Sequence, residues 1–205
     1  KSNYRPVKLK RGVYYPNELY FVDSSHEFPE GDSEILLCND TIARGKQALF
    51  FTSTRKGSEA LAEKLSKATI KSISGDDRNK LNKISDNILH ALSSPTKQCR
   101  RLAQSVKHGV AFHHAGLVAK QRKIIEDAFK SGIIKAITAT PTLAYGVNLP
   151  AWRVFVRDAK RYTGYGSAFI PVLEMQQMFG RAGRPKYDKE GEAIIISKGK
   201  HEARE

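Results

Sequence analysis

The chain has 205 residues, which is enough to bury a hydrophobic core, and its hydrophobic content of 40% is too high for a disordered chain. Lys and Arg outnumber Asp and Glu by 35 to 21, and the net charge of +14 favours a polyanionic partner over a merely solvated basic surface. The two cysteines lack a metal-ligand spacing and argue against a disulfide scaffold. No apolar run is long enough for a membrane span, so we expect a cytoplasmic protein.

The first third of the chain predicts a hairpin, a buried strand and a helix. The turn dipeptide Pro16-Asn17 separates two short runs rich in aromatic and β-branched residues, which indicates a hairpin. Residues 31–43 are weakly helical, and the apolar run 48–51 is typical of a buried parallel strand. A helical pattern follows, and the hydroxyl side chains of residues 52–54 can cap it.

The remainder predicts an alternation of strands and helices after a polar helical insertion at residues 76–108. The predicted strands are residues 110–112, 133–139, 154–156 and 193–196, and the predicted helices are residues 121–130 and 174–179. This alternation predicts an α/β fold in which helices cover both faces of a parallel sheet. We expect one structural domain, with residues 1–30 as an extended and hairpin lead-in packed on an α/β domain of residues 31–205.

The segment 177–185, written QMFGRAGRP, contains two arginines three residues apart, Arg181 and Arg184. Guanidinium groups suit the oxygens of a phosphate, and an arginine placed on a transferring phosphoryl group stabilises its developing charge. A solvated helix C-terminus, where arginine complements the helix dipole, would explain the same pattern. Other segments must decide between the two interpretations.

Two such segments follow predicted strands. Residues 140–150 (TPTLAYGVNLP) come directly after one strand, and residues 112–117 (FHHAGL) lead from another strand into a helix. Loops at the carboxyl ends of strands bind ligands in open α/β sheets, and a helix N-terminus presents free N–H groups to a phosphate. The adjacent His113 and His114 would diverge from each other, which argues against a metal site there.

In this order, the three segments resemble motifs IVa, V and VI of superfamily 2 helicases, and residues 51–55 (FTSTR) resemble motif IV. The residues are most similar to those of the superkiller-like branch and, within it, of the archaeal DNA helicases of the Hjm type. The resemblance extends over about residues 5–201. It implies the second RecA-like domain of such a helicase, the helicase C-terminal domain: a RecA-like parallel sheet flanked by helices, with a β-hairpin between motifs V and VI.

The resemblance also implies roles for single residues. Arg181 and Arg184 would act on the γ-phosphate of ATP, and Gln177 would organise that contact. The positions expected to lie near the nucleotide are Gly146, Asn148, Gly180 and Gly183. The positions expected to contact nucleic acid are Thr54, Arg55, His114, Gly116, Thr140 and Thr142. Asn148 departs from the pattern, because many relatives have Asp there.

The sequence contains no G-x-x-x-x-G-K-[ST] phosphate loop and no acidic D-E-x-H box. ATP and Mg²⁺, which the family uses, would therefore be bound mainly by a first RecA-like domain, and we expect this chain alone not to hydrolyse ATP. The resemblance implies further partners in the same protein, namely winged-helix and ratchet domains, and single-stranded or forked DNA as the substrate.

Between motifs V and VI, Tyr162, Tyr165 and Phe169 lie close to glycines and basic residues. In an unrelated fold this tract would be an ordinary hairpin with its turn at Gly164 or Gly166. In the resembled helicases a hairpin at this place parts the duplex, and aromatic side chains can stack on bases. We favour the strand-separating role.

The expected function is that of the second motor lobe of an ATP-dependent 3′–5′ DNA helicase that unwinds forked or branched DNA in repair and recombination, associated with the nucleoid in a prokaryote. An RNA helicase of the same branch stays open, because phosphate contacts do not distinguish DNA from RNA unless the 2′-OH is contacted. The other alternative is a non-catalytic nucleic-acid-binding module with the same fold. A phosphate-loop domain directly upstream of Lys1 would exclude it.

Overall fold

The computed structural model describes residues 7–70, 73–162, 164, 166–185, 187–197 and 199. The strands in chain order are β1 Lys8–Tyr14, β2 Glu18–Phe21, β3 Ser25–Glu27, β4 Ala48–Phe51, β5 Val110–His113, β6 Ala136–Ala139, β7 Arg153–Val156, β8 Lys160–Tyr162, β9 Ser167–Phe169 and β10 Glu190–Ile196. The helices are α1 Ser33–Ala43, α2 Arg55–Thr69, α3 Gly75–Leu89, α4 Lys97–Val106, α5 Ala119–Lys130, α6 Thr142–Gly146 and α7 Val172–Phe179. Among these helices, none is long and apolar enough to cross a membrane.

The described strands other than β8 and β9 form one sheet in the order β3-β2-β1-β10-β7-β4-β6-β5. From β1 to β5 along this order every pair is parallel, whereas β2 and β3 extend the β1 side antiparallel. Strands β4, β5, β6 and β7 are buried along their whole length, as expected where helices cover both faces. The predicted α/β fold with a parallel sheet is confirmed.

The predicted lead-in contributes to this sheet. The hairpin predicted around Pro16-Asn17 is the β1–β2 pair, and β1 also pairs with β10 along seven residues from Lys8 to Tyr14. The division of the chain at residue 30 stays a prediction.

The helical insertion is formed by α3 and α4, which pack on each other, while α4 also packs against α2 and β5. Each helix has a hydroxyl cap: Ser74 Oγ accepts the Asp77 N–H at 3.2 Å, and Thr96 Oγ1 accepts the Cys99 N–H at 3.2 Å. The predicted insertion is confirmed, and it ends directly before β5, the strand that leads into motif IVa.

One predicted strand is shorter than expected. Residues 133–139 were expected to be extended, but β6 begins at Ala136. The N–H groups of Ile133 and Ile134 both donate to the Ala128 carbonyl, at 3.1 Å each, and so close the end of α5. Gly132, with φ of 79°, turns the chain there. Amides used by the helix end are not available for strand pairing.

Because β4, β5, β6 and β7 are parallel, their carboxyl ends lie at one edge of the sheet, which we call the carboxyl edge, and their first residues lie at the opposite amino edge. Motifs IV and IVa and the first part of motif V follow β4, β5 and β6 and therefore lie at the carboxyl edge. Motif V then crosses to the start of β7. There Ala151 donates its N–H to the Arg181 carbonyl at 2.9 Å and accepts the Gly183 N–H at 2.7 Å. The turn of motif VI is thus attached beside the amino edge.

Candidate nucleic-acid interface and nucleotide-facing arginines

A cleft of about 410 Å³ opens at the carboxyl edge, and we call it the carboxyl cleft. It brings together four segments that are far apart in the sequence. The residues that line it include Ser53 and Arg55 of motif IV, Ala115 of motif IVa, Thr140 and Thr142 of motif V, and Arg161 of β8. The parallel sheet explains the assembly, because each segment follows a strand at the same edge.

Motif IV forms the start of α2. Thr54 is the N-cap, and its Oγ1 accepts the Gly57 N–H at 3.0 Å, as the sequence predicted for residues 52–54. The preceding Ser53 donates both its N–H (3.0 Å) and its hydroxyl (3.3 Å) to the carboxylate of Asp158, which follows β7. Arg55 is exposed and, within the described parts of the chain, makes no ion pair. A guanidinium so placed can accept a phosphate without first losing an intramolecular carboxylate.

Motif V contributes hydroxyl groups. Thr140 Oγ1 lies 2.9 Å from Thr142 Oγ1; Thr140 is 7% exposed and Thr142 is exposed at the start of α6. Beyond α6, Gly146 lies in a separate cleft of about 390 Å³ between α5 and α6, and Asn148 is exposed. Ala115 and Thr142 line this cleft as well as the carboxyl cleft, so Gly146 lies close to a predicted nucleic-acid position of motif V.

Motif IVa is a tight turn after β5. His114 is buried, its Nδ1 lies 3.1 Å from the Gly116 nitrogen, and its Nε2 lies 3.2 Å from Oε1 of Glu59. The predicted phosphate contact at Gly116 therefore has to use other backbone atoms of the turn. The neighbouring His113 points elsewhere and pairs with Glu126 at 3.0 Å, so the two imidazoles diverge as expected. Burial lowers the pKa of both histidines, and their glutamate partners only partly oppose this.

Arg181 lies beside motif V. Its guanidinium donates to the Ala144 carbonyl of α6, while its Nε is buried and has no hydrogen-bond partner among the described residues. Burial lowers the pKa of this guanidinium, since no carboxylate compensates for the lost hydration. An arginine held this way has hydrogen-bonding capacity left for a further acceptor.

Arg184 lies at the amino edge and is anchored within the chain by three of its guanidinium donors. Its side chain donates to both carboxylate oxygens of Asp188, at 2.9 and 3.2 Å, and to Oε1 of Gln47 at 2.8 Å. Lys46 adds an ion pair to Asp188 at 2.7 Å. Burial disfavours ionisation of Asp188, but the hydrogen bonds from Arg184 and Lys46 outweigh it and hold its pKa below the usual range. Sequence patterns gave no indication of Gln47 or Asp188 in this role.

The glycines of motif VI allow backbone geometry and packing that a side chain would prevent. Gly183 has a φ of 86°, and a Cβ added there would lie 2.5 Å from Val7 Cγ1. The Gly183 backbone packs on Gly191 of β10, so a side chain at either position would separate the motif VI turn from the sheet. Gly180 ends α7, and Gln177 is exposed on that helix. Packing accounts for Gly183, and its predicted proximity to the nucleotide stays a prediction.

The hairpin between motifs V and VI is confirmed as β8 and β9, an antiparallel pair outside the main sheet. Tyr162 and Phe169 are 77% and 42% exposed, so they are not core residues of this domain. Tyr165 lies outside the described residues. Gly164 and Gly166 have φ of 93° and 149°, which places the turn where the sequence predicted it. Arg161 attaches the hairpin to α7 by donating to both carboxylate oxygens of Glu174, at 3.0 and 3.1 Å.

Sequence comparison is consistent with this geometry. The pattern of the helicase conserved C-terminal domain matches residues 83–186. The ATP-dependent DNA helicase Hel308 of Methanocella arvoryzae is 44% identical over 201 residues, 97% of this chain and 27% of the relative. The Hel308 helicases of Pyrococcus horikoshii and Pyrobaculum calidifontis are 44% and 42% identical and cover 96% and 99% of this chain.

The chain belongs to the helicase conserved C-terminal domain family. The predicted resemblance to archaeal superfamily 2 DNA helicases is confirmed by relatives that match nearly its whole length. The chain spans 27–29% of the length of these three relatives. A second RecA-like lobe accordingly is the class of domain that the sheet, the carboxyl cleft and motif VI define.

Proposed function

We propose that this chain is the second motor lobe of an ATP-dependent 3′–5′ DNA helicase acting on forked or branched DNA, in repair and recombination. The observation that carries the proposal is the carboxyl cleft, where motifs IV, IVa and V and the base of the hairpin meet. Hydroxyl groups, and Arg55 without an ion pair among the described residues, suit a phosphate backbone on a chain of net charge +14. The relatives are named as DNA helicases, which favours DNA over RNA. A cytoplasmic, nucleoid-associated location belongs to the same proposal.

Arg181 supports the nucleotide-sensing part of the proposal. Among the described residues its guanidinium hydrogen-bonds only the Ala144 carbonyl, so terminal N–H donors remain for a γ-phosphate oxygen held by a first RecA-like lobe. ATP, when bound, supplies the phosphoryl group whose developing negative charge an arginine stabilises. Gln177, Gly146, Asn148, Gly180 and Gly183 surround this contact in our proposal. A first RecA-like lobe would bind Mg²⁺ together with ATP, because the phosphate loop and acidic box that hold them in this family are not in this sequence.

Arg184 differs from Arg181 in that three of its N–H donors already bind Asp188 and Gln47. We propose that it reaches the phosphate while anchored by Asp188, as a guanidinium has five N–H donors and three suffice for these two partners. The family resemblance assigns it the same role as Arg181, and separate substitutions test the two arginines individually.

The experiment that tests the proposal is single-strand binding by this chain. Fluorescence anisotropy with a labelled oligo-dT should show weak binding whose log–log salt slope is roughly −2 to −4, since about three to five phosphates would be contacted. Arg55→Ala should weaken binding and make the slope less steep by about one, because one phosphate contact is lost.

A matched control lies on the same helix. Lys67→Ala removes the same charge from an exposed position of α2, twelve residues from Arg55 and thus about 18 Å along the helix axis. It should change binding much less. Binding that is indifferent to salt, or that responds equally to both substitutions, would contradict the proposed interface.

A further inference from the structure

Glu59 is a buried acidic side chain on α2, one helical turn after Arg55, and motif patterns do not include it. It is 7% exposed, and its Oε1 lies 3.2 Å from His114 Nε2 and 2.7 Å from Gln98 Nε2 of α4. Its Oε2 accepts from Arg101, also on α4, whose Nε bonds Glu63 at 2.5 Å. One carboxylate therefore joins the helical insertion to the motif IVa turn.

The contacts of His114 determine which ring nitrogen carries the proton. The Gly116 N–H can only donate, so Nδ1, 3.1 Å away, must be the acceptor. In the neutral ring the proton then resides on Nε2, which donates it to Oε1 of Glu59. Burial lowers the pKa of His114, ahead of the opposing effect of Glu59, and thus favours this neutral form. A carboxylate, which has no proton to donate, suits this tautomer only.

The ring in turn holds the backbone of the turn. It stacks on Phe112 with ring centroids 5.5 Å apart, and a Cβ at Gly116 would lie 3.0 Å from His114 Nδ1. The same added Cβ would lie 3.6 Å from an Arg55 guanidinium nitrogen, so the turn and Arg55 are direct neighbours. Ala115, at the exposed tip, lines the carboxyl cleft. A rotated or re-protonated ring would release the Gly116 N–H and move this tip.

We propose that Glu59 is a positioning residue of the nucleic-acid interface: by accepting the Nε2–H of His114 it holds the tautomer that fixes the motif IVa turn beside Arg55. This inference rests on the proposed function, because it assumes that the carboxyl cleft binds a strand. Because Arg101 and Gln98 of α4 hydrogen-bond Glu59, the α3–α4 insertion helps to hold the same turn.

If only the charge of Glu59 mattered, replacing it with a neutral residue would strengthen nucleic-acid binding. Removing a negative charge close to Arg55 should strengthen the attraction of a polyanion. The positioning role predicts weaker binding, because the turn loses a hydrogen bond that orders it. The two effects are separable with Glu63, which shares Arg101 with Glu59 and has no bond to His114.

The test compares Glu59→Ala, Glu59→Gln and the control Glu63→Ala in oligo-dT binding by anisotropy, with the ¹⁵N-detected tautomer of His114 as a second readout. Glu59→Ala should weaken binding about five- to tenfold, the effect of one ordering hydrogen bond. It should also free the His114 ring to turn away from the Gly116 N–H, so that an Nδ1–H form appears beside the Nε2–H tautomer. Glu59→Gln keeps an oxygen that accepts from His114, so tautomer and affinity should stay within about twofold of the parent chain. Glu63→Ala should leave the tautomer unchanged and binding unchanged or tighter.

Several outcomes would overturn the inference. They are an Nδ1–H tautomer in the unsubstituted chain, Glu59→Ala binding as tightly as the parent, or Glu59→Gln losing as much affinity as Glu59→Ala. If Glu59→Ala does not fold, the tautomer of the parent chain and the Glu59→Gln affinity still decide. If Arg55→Ala also leaves binding unaffected, the proposed function itself fails, whereas a weakened Arg55→Ala beside an unaffected Glu59→Ala refutes the positioning role alone.

Discussion

The two edges of the sheet differ in whether their charged and polar side chains are paired within the chain or exposed at a cleft. At the amino edge, buried charges are paired with one another: Arg153 is held by Glu192 at 2.6 Å and Asp40 at 2.7 Å, and Arg184 is held by Asp188. At the carboxyl edge, the exposed Arg55 and the motif V threonines border an open cleft. Charges paired internally contribute to the folded state and are costly to separate, whereas polar groups without such partners are available to a ligand at little cost.

The two arginines of motif VI differ in the same way. Arg181 retains an unsatisfied buried Nε next to α6, while Arg184 is integrated into the amino-edge network. Replacing either arginine should therefore affect ATP hydrolysis, but the two replacements should differ in their effect on the stability of the fold.

The largest expected effect concerns these arginines in the helicase that contains this chain. Arg181→Ala and Arg184→Ala should each lower the kcat of DNA-stimulated ATP hydrolysis by about 10³-fold, the scale of an arginine that stabilises phosphoryl charge. Binding of ATP should weaken far less, because a phosphate loop supplies most nucleotide contacts. Steady-state kcat and KM at saturating single strand are the measurements.

The arginines also provide the control for the comparison. Only Arg184→Ala should destabilise the fold, since it removes the guanidinium from the buried Asp188 and leaves that carboxylate with Lys46 and the backbone N–H of residue 184. Thermal unfolding of both variants reports this difference. An unchanged kcat in Arg184→Ala with reduced stability would assign Arg184 to the amino-edge network only, and an unchanged kcat in both would show that motif VI has been misinterpreted.

The next effect tests the hairpin as a strand-separating element. Replacing Tyr162, Tyr165 and Phe169 with Ala should lower duplex unwinding by about tenfold or more, because a base step costs about 1.4 kcal/mol to open and an inserted aromatic replaces part of that stacking. Single-strand-stimulated ATP hydrolysis should stay nearly unchanged. The exposed Tyr20 of β2, replaced with Ala, is a control outside the hairpin.

A parallel loss of unwinding and ATP hydrolysis would instead indicate that the hairpin supports α7 through the Arg161–Glu174 pair. Unwinding that survives the triple substitution would mean that the duplex is parted elsewhere, and an RNA helicase would then become the better alternative.

The smallest effect concerns the amino-edge network and pH. The pKa of Asp188 is lowered in the folded chain, so its stabilisation is present above the unfolded pKa of about 3.9 and is lost as pH falls through the folded pKa. Asp188→Asn should therefore lower the free energy of unfolding at pH 7 by about 1.5–3 kcal/mol, the value of hydrogen bonds to a charged group. Below about pH 4 the difference should shrink.

Urea unfolding of the parent chain and the variant at both pH values measures this difference. Asp23→Asn, at the exposed turn between β2 and β3, should cost little at either pH. A destabilisation of Asp188→Asn that is independent of pH would refute the charge-based explanation.

Much of the fold could be predicted because its elements are encoded locally. The run 48–51 is apolar throughout, and Thr54 is a suitable cap, so the strand and the start of α2 follow from neighbouring residues. The boundary at Ala136 was missed because the amides of Ile133 and Ile134 pair with a helix end, which depends on where the chain turns. Gln47 and Glu59 were missed because their partners Arg184 and His114 are 137 and 55 residues away. Asp188 is only four residues from Arg184, but its other partner, Lys46, is 142 residues away, and no motif includes Asp188.

The sequence by itself determined the alternation of elements, the order of the motifs and the family, because these depend on residue type and spacing along the chain. Only the tertiary structure decided which of these residues meet: the parallel sheet placed motifs IV, IVa and V at one edge and Arg184 at the other. It also decided which polar groups are already paired, since hydrogen bonds such as that between Arg184 and Gln47 join residues 137 positions apart. Pairing across such distances is a property of the packed chain, and no local pattern contains it.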